Sequence, residues 1–396
     1  MKREFHIVQR LLTSACLRLL LQPFRLLPVK KNRVLFTSYL DKQYSCNPKY
    51  ISEELMKMYP GRIEVGWAFR HPEEFSYLSE KGIRVLGTKT LKFIVFAMTA
   101  RVICTNTYYK PSLPRRKKQF FLYTWHGGGA YKRVGDAQDM SLAERLSLRM
   151  REGRADLYLS SSRAFTRLTL RQSFGYRGEV MEKGMPRNDL LLSEPDAEKT
   201  ALIRRKIGLK DGERLCLYAP TYRKDTRVHK LNPDYEKTLS ALEQRFSGTW
   251  VMGYRGHHVT QYKDHTDVNR GALDLTQYPD MQEILYAADA LITDYSSSIW
   301  DMGLTGKPVF LYAPDLNSYR SERDFYTDIH TWPFPLAENM EQLEESIRSF
   351  HEDRYADAVR KHFRELGSCE SGKASFFAAR RIGYETGLEK KKYDDQ

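Results

Sequence analysis

The chain has 396 residues, of which 41% are hydrophobic and 29% are charged, a composition typical of soluble globular proteins, and its length argues against a single domain. Lys and Arg outnumber Asp and Glu by 64 to 50, so we expect a positive surface that attracts nucleic acid, anionic membranes or phosphorylated substrates. The five cysteines are widely spaced without a CxxC pair, which argues against a disulfide framework or a zinc site and fits a reducing cytoplasm.

The amino-terminal segment is strongly basic. Residues 1–33 hold eight Lys or Arg and one acid, Glu4, which is 8 − 1 = +7 of the net charge of +14. Arginines cut its apolar runs to seven residues or fewer, against the roughly 20 needed to span a bilayer. We therefore expect residues 1–32 to form an amphipathic helix on an anionic membrane surface. The alternatives are a helix docked on the protein, or a signal peptide, which Arg18 and the lack of a small-residue cleavage site disfavour.

Residues 33–178 alternate between strand and helix patterns. The strand patterns are RVLFTSY, IEVGWAF, IRVLG, VICTN and FLYTW, and the helix patterns are NPKYISEELMKMYP, EEFSYLSEKG and LKFIVFAMTA. Strands separated by segments of helix length predict a parallel sheet with crossover helices. We interpret this range as one Rossmann-like domain.

The alternation begins again at residue 179 and continues to residue 365. Its strand patterns are EVMEKG, RLCLYAP, TWVMGYR, ALITDY and PVFLYAP, and helical patterns lie between them. A C-terminal helix and tail follow at 366–396. The sequence thus predicts an α/β protein with two doubly wound domains facing a cleft, where the carboxyl ends of the strands bind ligands.

One candidate site is 124-TWHGGGAYKRVG-135, after a predicted strand. Histidine titrates near neutrality and can act as a general base, so His126 is a catalytic candidate. Gly127 and the next two glycines would let a substrate approach the backbone, and Lys132 adds positive charge. A purely structural histidine is the alternative.

Two further clusters also follow strands. In 254-YRGHHV-259, Arg255 and His257 are suited to donate hydrogen bonds to an anion. In 290-ALITDYSSSIWDMG-303, Asp294 precedes the serines 296–298, which open a predicted helix whose amino end attracts phosphate. The alternatives are a solvated turn for the first cluster and a structural helix cap for the second.

The stretches 184-GMPRND-189 and 218-YAPTYR-223 add further polar candidates. Arg187 and Asn188 lie in the first, and Thr221 and Arg223 in the second. The arginines could clamp a phosphate or bridge the domains. Because the chain has no DxD pair and no GxxxxGK[ST] loop, we expect protein cations to bind an anionic substrate, with no cofactor and no metal.

These motifs resemble the CDP-glycerol glycerophosphotransferase family, peripheral membrane enzymes of teichoic acid and related cell-surface polymer synthesis. The residues that carry the resemblance are WHG at 125–127, GMPRNDLL at 184–191, LYAPTYR at 217–223, RGH at 255–257 and the long block at 291–328. The resemblance implies a GT-B type fold, in which the domain at 179–365 mainly holds the CDP donor and the acceptor enters against the domain at 33–178. It also implies transfer of an alditol phosphate, first of all glycerol phosphate, from CDP-glycerol or CDP-ribitol to a hydroxyl of a lipid-linked glycan, with release of CMP.

The resemblance also implies roles for single residues. His126 would be the base for the acceptor hydroxyl, and Arg255 and His257 would contact the donor pyrophosphate. Ser296 and Ser297, with the helix amides, would hold the donor phosphates. The enzyme would act at the cytoplasmic face of the cell membrane as a peripheral protein.

The chain departs from the family pattern at two places. Gly128 to Tyr131 replace the Thr-Pro-Leu-Lys that often follows WHG, although Lys132 remains, so donor or acceptor preference would differ. His258 stands where a proline commonly follows the second histidine, which leaves open which imidazole meets the donor; we prefer His257.

Two other functions are compatible with parts of the sequence. A GT-B glycosyltransferase would use a nucleotide sugar, but such enzymes usually show a Glu for the ribose in a Gly-rich setting. A non-catalytic protein could bind a membrane or nucleic acid through the basic loop 110-KPSLPRRKK-118, but no nucleic-acid module is present and we expect no nucleic-acid partner.

Overall fold

The protein is described here by a computed structural model that covers residues 2–135, 140–221, 232–256, 271–322 and 324–390. The chain divides into two compact units. The first comprises Met1–His126, Val134–Asp189 and Cys369–Gln396, and the second comprises Gly127–Arg133 and Leu190–Ser368.

The described residues form strands that belong to two sheets. The strands are β1 (Lys30–Thr37), β2 (Glu64–Phe69), β3 (Arg84–Gly87), β4 (Ala100–Thr105), β5 (Phe120–Tyr123), β6 (Leu157–Leu159), β7 (Glu179–Met181), β8 (Glu213–Tyr218), β9 (Thr249–Tyr254), β10 (Ala272–Asp274), β11 (Ala290–Thr293), β12 (Val309–Tyr312) and β13 (Leu336–Ala337). Most are continuous buried runs rich in Val, Leu, Ile and Phe, because helices cover both faces of a parallel sheet.

The helices of the described residues surround these sheets. They are α1 (Lys2–Leu20), α2 (Cys46–Met58), α3 (Leu91–Thr99), α4 (Leu142–Glu152), α5 (Ala197–Lys206), α6 (Tyr235–Phe246), α7 (Met281–Ala287), α8 (Ser298–Gly303), α9 (Leu316–Glu322), α10 (Met340–Arg348), α11 (Glu352–Glu365) and α12 (Ala374–Thr386). Side-chain caps define several of their starts. Ser141 and Glu144 form a capping box at α4, and Asp234 accepts the Lys237 amide at α6.

The first sheet has the strand order β3-β2-β1-β4-β5-β6-β7, and all its pairs are parallel. The second has the order β10-β9-β8-β11-β12-β13, also parallel. The order reverses between β1 and β4 in the first sheet and between β8 and β11 in the second. Ligands of doubly wound sheets bind beyond the strand ends at such reversals.

The expected pair of doubly wound domains is confirmed, with two differences in extent. The second domain was expected to begin at residue 179, but β7 (Glu179–Met181) pairs with β6 and continues the first sheet. The segment 366–396, expected as a separate helix and tail, contributes α12 to the first unit, where it packs on α2. Both differences come from pairing between segments far apart in the chain, which local periodicity does not reveal.

One expected helix has another form. Pro72–Lys81 is a 3₁₀ segment interrupted at Phe75, where φ is −119° and ψ is 16°. The Phe75 ring stacks on Phe69, with ring centroids 3.9 Å apart. The residue that stacks on the end of β2 is thus the same residue at which the helix is interrupted.

The basic amino-terminal segment forms α1, and a 3₁₀ turn, Gln22–Leu26, follows it. Arg18 donates two hydrogen bonds to the Pro111 carbonyl, at 2.7 and 3.1 Å, and α1 packs against α4. None of the helices in the described ranges combines the length and the apolar character that a bilayer crossing requires. The role of residues 1–32 at a membrane surface stays a prediction.

Candidate active site

His126 follows β5 in the first unit and is half-buried. Its Nδ1 lies 3.0 Å from the backbone carbonyl oxygen of Asn106, the residue directly after β4. A carbonyl oxygen only accepts hydrogen bonds, so Nδ1 must carry the proton and donate it. The neutral ring then has its lone pair on Nε2, which is the tautomer a general base needs.

The main chain around His126 is held in an uncommon conformation. Trp125 has φ of +57°, a region that non-glycine residues rarely adopt. Asn47 in the first turn of α2 donates to the Trp125 carbonyl at 3.0 Å, and Arg187 Nη1 donates to the His126 carbonyl at 2.7 Å. These two bonds offset the local backbone cost and fix the position of the histidine.

Arg187 and Asn188, which the sequence predicted to bind substrate, lie in the interior of the first unit. Their exposed fractions are 4% and 0%. The Arg187 amide donates to Asn47 Oδ1 at 3.1 Å, and Asn188 Nδ2 donates to Glu370 Oε1 at 2.9 Å. Both residues join α2, the histidine loop and the returning C-terminal segment. These bonds connect segments of the first unit, and substrate binding by Arg187 and Asn188 stays a prediction.

The glycines after His126 belong to the second unit and have a packing role. A Cβ on Gly128 would lie 2.4 Å from Trp300 Cδ1, and one on Gly129 would lie 2.4 Å from Tyr131 Cε2. Gly129 also has φ of +75°. We expected these glycines to admit a substrate to the backbone, but at 128 and 129 the neighbouring atoms are aromatic side chains.

Two further predicted residues of this loop also lie in the second unit. Gly127 is buried, and Lys132 forms an isolated antiparallel bridge with Phe325. The Arg133 amide donates to the Asp324 carbonyl at 2.9 Å, so the loop is fastened to the segment before the Ile329–Thr331 turn. Substrate roles for Gly127 and Lys132 stay predictions.

Asp294 and Thr221 meet at the reversal point of the second sheet. The Asp294 carboxylate accepts the Thr221 amide at 2.9 and 3.0 Å and the Thr221 hydroxyl at 2.6 Å. It also accepts the Tyr295 amide at 2.5 Å, and it is only 4% exposed. The carboxylate ties the loop after β8 to the loop after β11. Its position at the sheet edge is the predicted one, and its observed bonds are structural.

The three serines follow Asp294 at the start of α8. Ser297 occupies the cap position but makes no side-chain capping bond, while Ser296 Oγ accepts the Ser298 amide at 3.3 Å. Ser298 Oγ is buried and has no hydrogen-bond partner among the described residues. The structural alternative therefore accounts for Ser296 but not for the Ser298 hydroxyl. Because α8 is only six residues long, the serine hydroxyl groups are better candidates to bind a phosphate than the amino end of the helix.

Arg255 lies at the same edge, since its amide donates to the carbonyl of Tyr218 at the end of β8. Its Nη1 donates to the carbonyls of Leu275 and Tyr278, at 3.0 and 2.8 Å. One guanidinium nitrogen thus orders the segment after β10. The other predicted contacts, Arg223 and His257 with its neighbour His258, lie outside the described residues.

Sequence reasoning missed three residues that shape these sites. Asn106 sets the His126 tautomer, Asn47 holds the strained turn, and Trp300 packs on the glycines. Asn106 could have been found as the polar residue directly after a buried strand. The other two depend on contacts between distant segments.

Comparisons with known proteins agree with the motifs. A profile of the family described as CDP-Glycerol:Poly(glycerophosphate) glycerophosphotransferase matches residues 19–382. A teichoic acid poly(glycerol phosphate) polymerase of Bacillus subtilis is 27% identical over 339 residues, which are 83% of this chain and 45% of that protein. A teichoic acid glycerol-phosphate transferase of Staphylococcus aureus is 28% identical over 364 residues, 87% of this chain and 91% of that protein. A teichoic acid ribitol-phosphate primase of Bacillus spizizenii is 27% identical and covers 83% of this chain and 85% of its own.

Solved structures show the same fold. The wall teichoic acid polymerase TagF superposes with a TM-score of 0.79 at 24% identity, covering 99% of this chain and 100% of that chain. A UDP-N-acetylglucosamine 2-epimerase from Listeria monocytogenes is more distant, with a TM-score of 0.53 at 14% identity. The sequence motifs and the family profile agree, and the chain belongs to the CDP-glycerol:poly(glycerophosphate) glycerophosphotransferase family.

Proposed function

We propose that this protein transfers an alditol phosphate, with glycerol phosphate as the first candidate, from a CDP-alditol to a hydroxyl of a lipid-linked acceptor in teichoic acid or related cell-surface polymer synthesis. Family membership supports the reaction class. The names of the relatives include both glycerol phosphate and ribitol phosphate transfer, so the donor is CDP-glycerol or CDP-ribitol.

The observation that carries the mechanism is the hydrogen bond from His126 Nδ1 to the Asn106 carbonyl. Nε2 takes the proton of the acceptor hydroxyl as its oxygen attacks the phosphorus that bears the alditol. The bond from that phosphorus to the bridging oxygen breaks, and CMP leaves with the oxygen. Little covalent chemistry is needed beyond alignment and charge stabilisation.

The donor phosphates are assigned to the carboxyl edge of the second sheet. Serine hydroxyls at 296–298 are suited to hold phosphate oxygens, and Ser298 Oγ has no hydrogen-bond partner among the described residues. Arg255 supplies positive charge at the same edge. His257 and Arg223 complete the proposed set from the sequence pattern. Asp294 and Thr221 keep the two loops in register, because a shared carboxylate bonds both.

His126→Asn tests the base. The asparagine amide can still donate toward the Asn106 carbonyl, while no titratable nitrogen remains. We expect turnover to fall by roughly 10²- to 10⁴-fold with the fold intact. His71→Asn is a matched control, since His71 is an exposed histidine of the same unit whose ring contacts Glu73. Near-normal turnover of His126→Asn would reject the role.

The donor is tested directly by incubation with CDP-glycerol, CDP-ribitol or a UDP-sugar and a panel of lipid-linked acceptors, followed by mass spectrometry. The expected product gains one or more alditol phosphates, and CMP appears in equal amount. A product that gains a sugar instead would identify a glycosyltransferase.

We further propose that the protein is peripheral, at the cytoplasmic face of the cell membrane. The exposed leucines of the amino-terminal region support this; they are Leu12, Leu17, Leu19, Leu20 and Leu26. On the neighbouring α4, Leu142, Leu146 and Met150 are also exposed and recur every four residues, which places them on one face. Apolar side chains beside arginines suit an anionic lipid surface.

Removal of residues 1–28 should release the protein from anionic vesicles while transfer to a soluble acceptor analogue continues. Leu20→Asp, at a side chain 73% exposed, should weaken vesicle binding without truncation. Leu202→Asp in the second unit is the matched control, because Leu202 is also exposed at 45%. Unchanged vesicle binding by both the truncated and the Leu20→Asp proteins would refute this anchor.

A further inference from the structure

A pocket of about 290 Å³ lies in the first unit at the reversal point of its sheet. Its walls come from the loop after β1, the residue after β2 and the loop after β4. The residues used below are Thr37, Leu40, Asp41, Arg70, Tyr109 and Lys110. This is the position where doubly wound sheets bind ligands, and none of the roles described above uses it.

The charges of the pocket leave a single net positive charge. Asp41 is buried; its Oδ1 accepts the Thr37 hydroxyl at 2.5 Å and its Oδ2 contacts Lys110 Nζ at 2.6 Å. The Asp41 and Lys110 charges therefore cancel. Arg70 is exposed, and within the described chain its guanidinium makes one hydrogen bond, from Nε to the Leu40 carbonyl at 2.8 Å.

Three buried polar groups of the first unit, one of them on a residue that lines the pocket, have no hydrogen-bond partner among the described residues. They are Ser38 Oγ, Asn106 Nδ2 and the Tyr109 hydroxyl, on residues that are 0%, 0% and 3% exposed. Ser38 directly follows the lining residue Thr37, and Tyr109 itself lines the pocket. An unmade bond at such a group costs about 1–3 kcal/mol, so a ligand or water that supplies a partner stabilises the site.

The backbone of the pocket is also unusual. Tyr39, Leu40 and Asp41 are consecutive non-glycine residues with φ of 45°, 57° and 68°. Left-handed geometry costs L-residues roughly 1–2 kcal/mol each, and such strain concentrates at ligand sites. The Tyr39 amide donates to Asn106 Oδ1 at 2.8 Å, which helps to hold this turn.

A residue next to the pocket lining contacts the proposed base, since Tyr39 directly precedes the lining residue Leu40. The Tyr39 ring centroid lies 5.6 Å from that of His126, and Asn106 bonds both residues. The turn at 39–41, of which Leu40 and Asp41 line the pocket, therefore connects the pocket to the proposed base.

We propose that this pocket binds the terminal alditol phosphate unit of the acceptor, with its phosphodiester at Arg70 and a hydroxyl at Tyr109. One net positive charge matches the single negative charge of a phosphodiester. The diphosphate of a CDP donor carries at least two negative charges and fits less well. This inference rests on the proposed function, since it names where the acceptor of that reaction is held.

The test uses the full chain and glycerophosphoglycerol, a diester of two glycerols, as the probe. Binding is measured by saturation-transfer NMR and calorimetry without any donor, and acceptor and donor KM are measured separately. Arg70→Met should raise the Kd of the diester and the acceptor KM by about 10- to 100-fold, as expected for lost bonds to a charged group. The donor KM should change less than about twofold, well below the expected change in the acceptor KM. Arg62→Met is the matched control, an exposed arginine of the same unit outside the pocket.

Tyr109→Phe separates binding from folding. It removes a hydroxyl that has no protein partner in the described chain, so the empty protein should lose no stability, while the diester should bind more weakly. Equal diester binding by wild type, Arg70→Met and Tyr109→Phe would overturn the proposal, as would no binding to wild type. Displacement of the diester by CDP would assign the pocket to the donor and also overturn it. Because binding is measured without turnover, absence of alditol phosphate transfer would instead count against the proposed function.

Discussion

Gly128→Ala tests whether the glycines after His126 serve packing. Gly128 does not need a left-handed backbone, so the effect of a methyl group comes from its neighbours. The new Cβ would lie 2.4 Å from Trp300 Cδ1 and 2.7 Å from Nε1, whereas carbon atoms normally approach to about 3.5–4.0 Å. Trp300 is fully buried and packs edge-on against Phe363, at 4.5 Å between ring centroids, so it has little room to move.

The expected cost follows from these distances. Overpacking a close-packed site costs about 1–3 kcal/mol, and the contact predicts the upper part of that range. Loss of glycine freedom in the unfolded chain offsets about 0.4–1 kcal/mol. We therefore expect Gly128→Ala to lower the free energy of unfolding by about 2 kcal/mol.

Urea unfolding followed by circular dichroism measures this change, and Trp300→Ala supplies the control. Removing the indole should itself cost about 3–5 kcal/mol, but in that background Gly128→Ala should cost nearly nothing. Additive costs would refute the packing explanation. A loss of activity without loss of stability would support the earlier expectation that the glycine admits substrate.

Three further predictions concern buried polar groups. Asp294→Ala removes the acceptor of the Thr221 amide and hydroxyl and should lower the free energy of unfolding in urea by about 3 kcal/mol or more. A change under about 0.5 kcal/mol would contradict a stabilising role for these hydrogen bonds. Burial raises the pKa of Glu152 to about 7, above its unfolded value of 4.5, so its contribution to stability is present below pH 4.5 and is lost as the pH rises through 7. Glu152→Gln should flatten that loss, which is on the order of 3 kcal/mol, and an unchanged pH profile would count against it. Burial lowers the pKa of His362 to about 4, so its contribution to stability is present above pH 6.5 and is lost as the pH falls toward 4. Between these pH values His362→Gln should reduce the number of protons taken up on unfolding by up to one. A series of stability measurements against pH that shows no such reduction would contradict this.

Much of the fold was predictable because the strands are continuous apolar runs separated by helix-length segments. The predicted strand at RVLFTSY overlaps β1. The stretch ALITDY contains β11 as its first four residues, and Asp294 follows directly. His126 and Asp294 both lie beyond the carboxyl ends of strands, as the sequence predicted, because the apolar runs mark where β5 and β11 end. The family also followed from these motifs and is confirmed.

The roles of individual residues were harder to predict. Arg187 looked suited to a phosphate, but the structure uses it to hold the His126 carbonyl. Gly128 looked open to substrate, but Trp300 occupies the adjacent space. In each case the partner is far away in the chain, and charge or size alone does not identify it.

By itself, the sequence determined the order of strands and helices, the positive amino-terminal segment and the polar clusters at strand ends. These depend on periodicity, charge and residue type within short windows. Only the tertiary structure decided that β7 and α12 join the first unit, that Asn106 sets the His126 tautomer and that Asp294 bonds Thr221. Those outcomes depend on hydrogen bonds and packing between residues distant in sequence, whose geometry exists only once the sheets have formed.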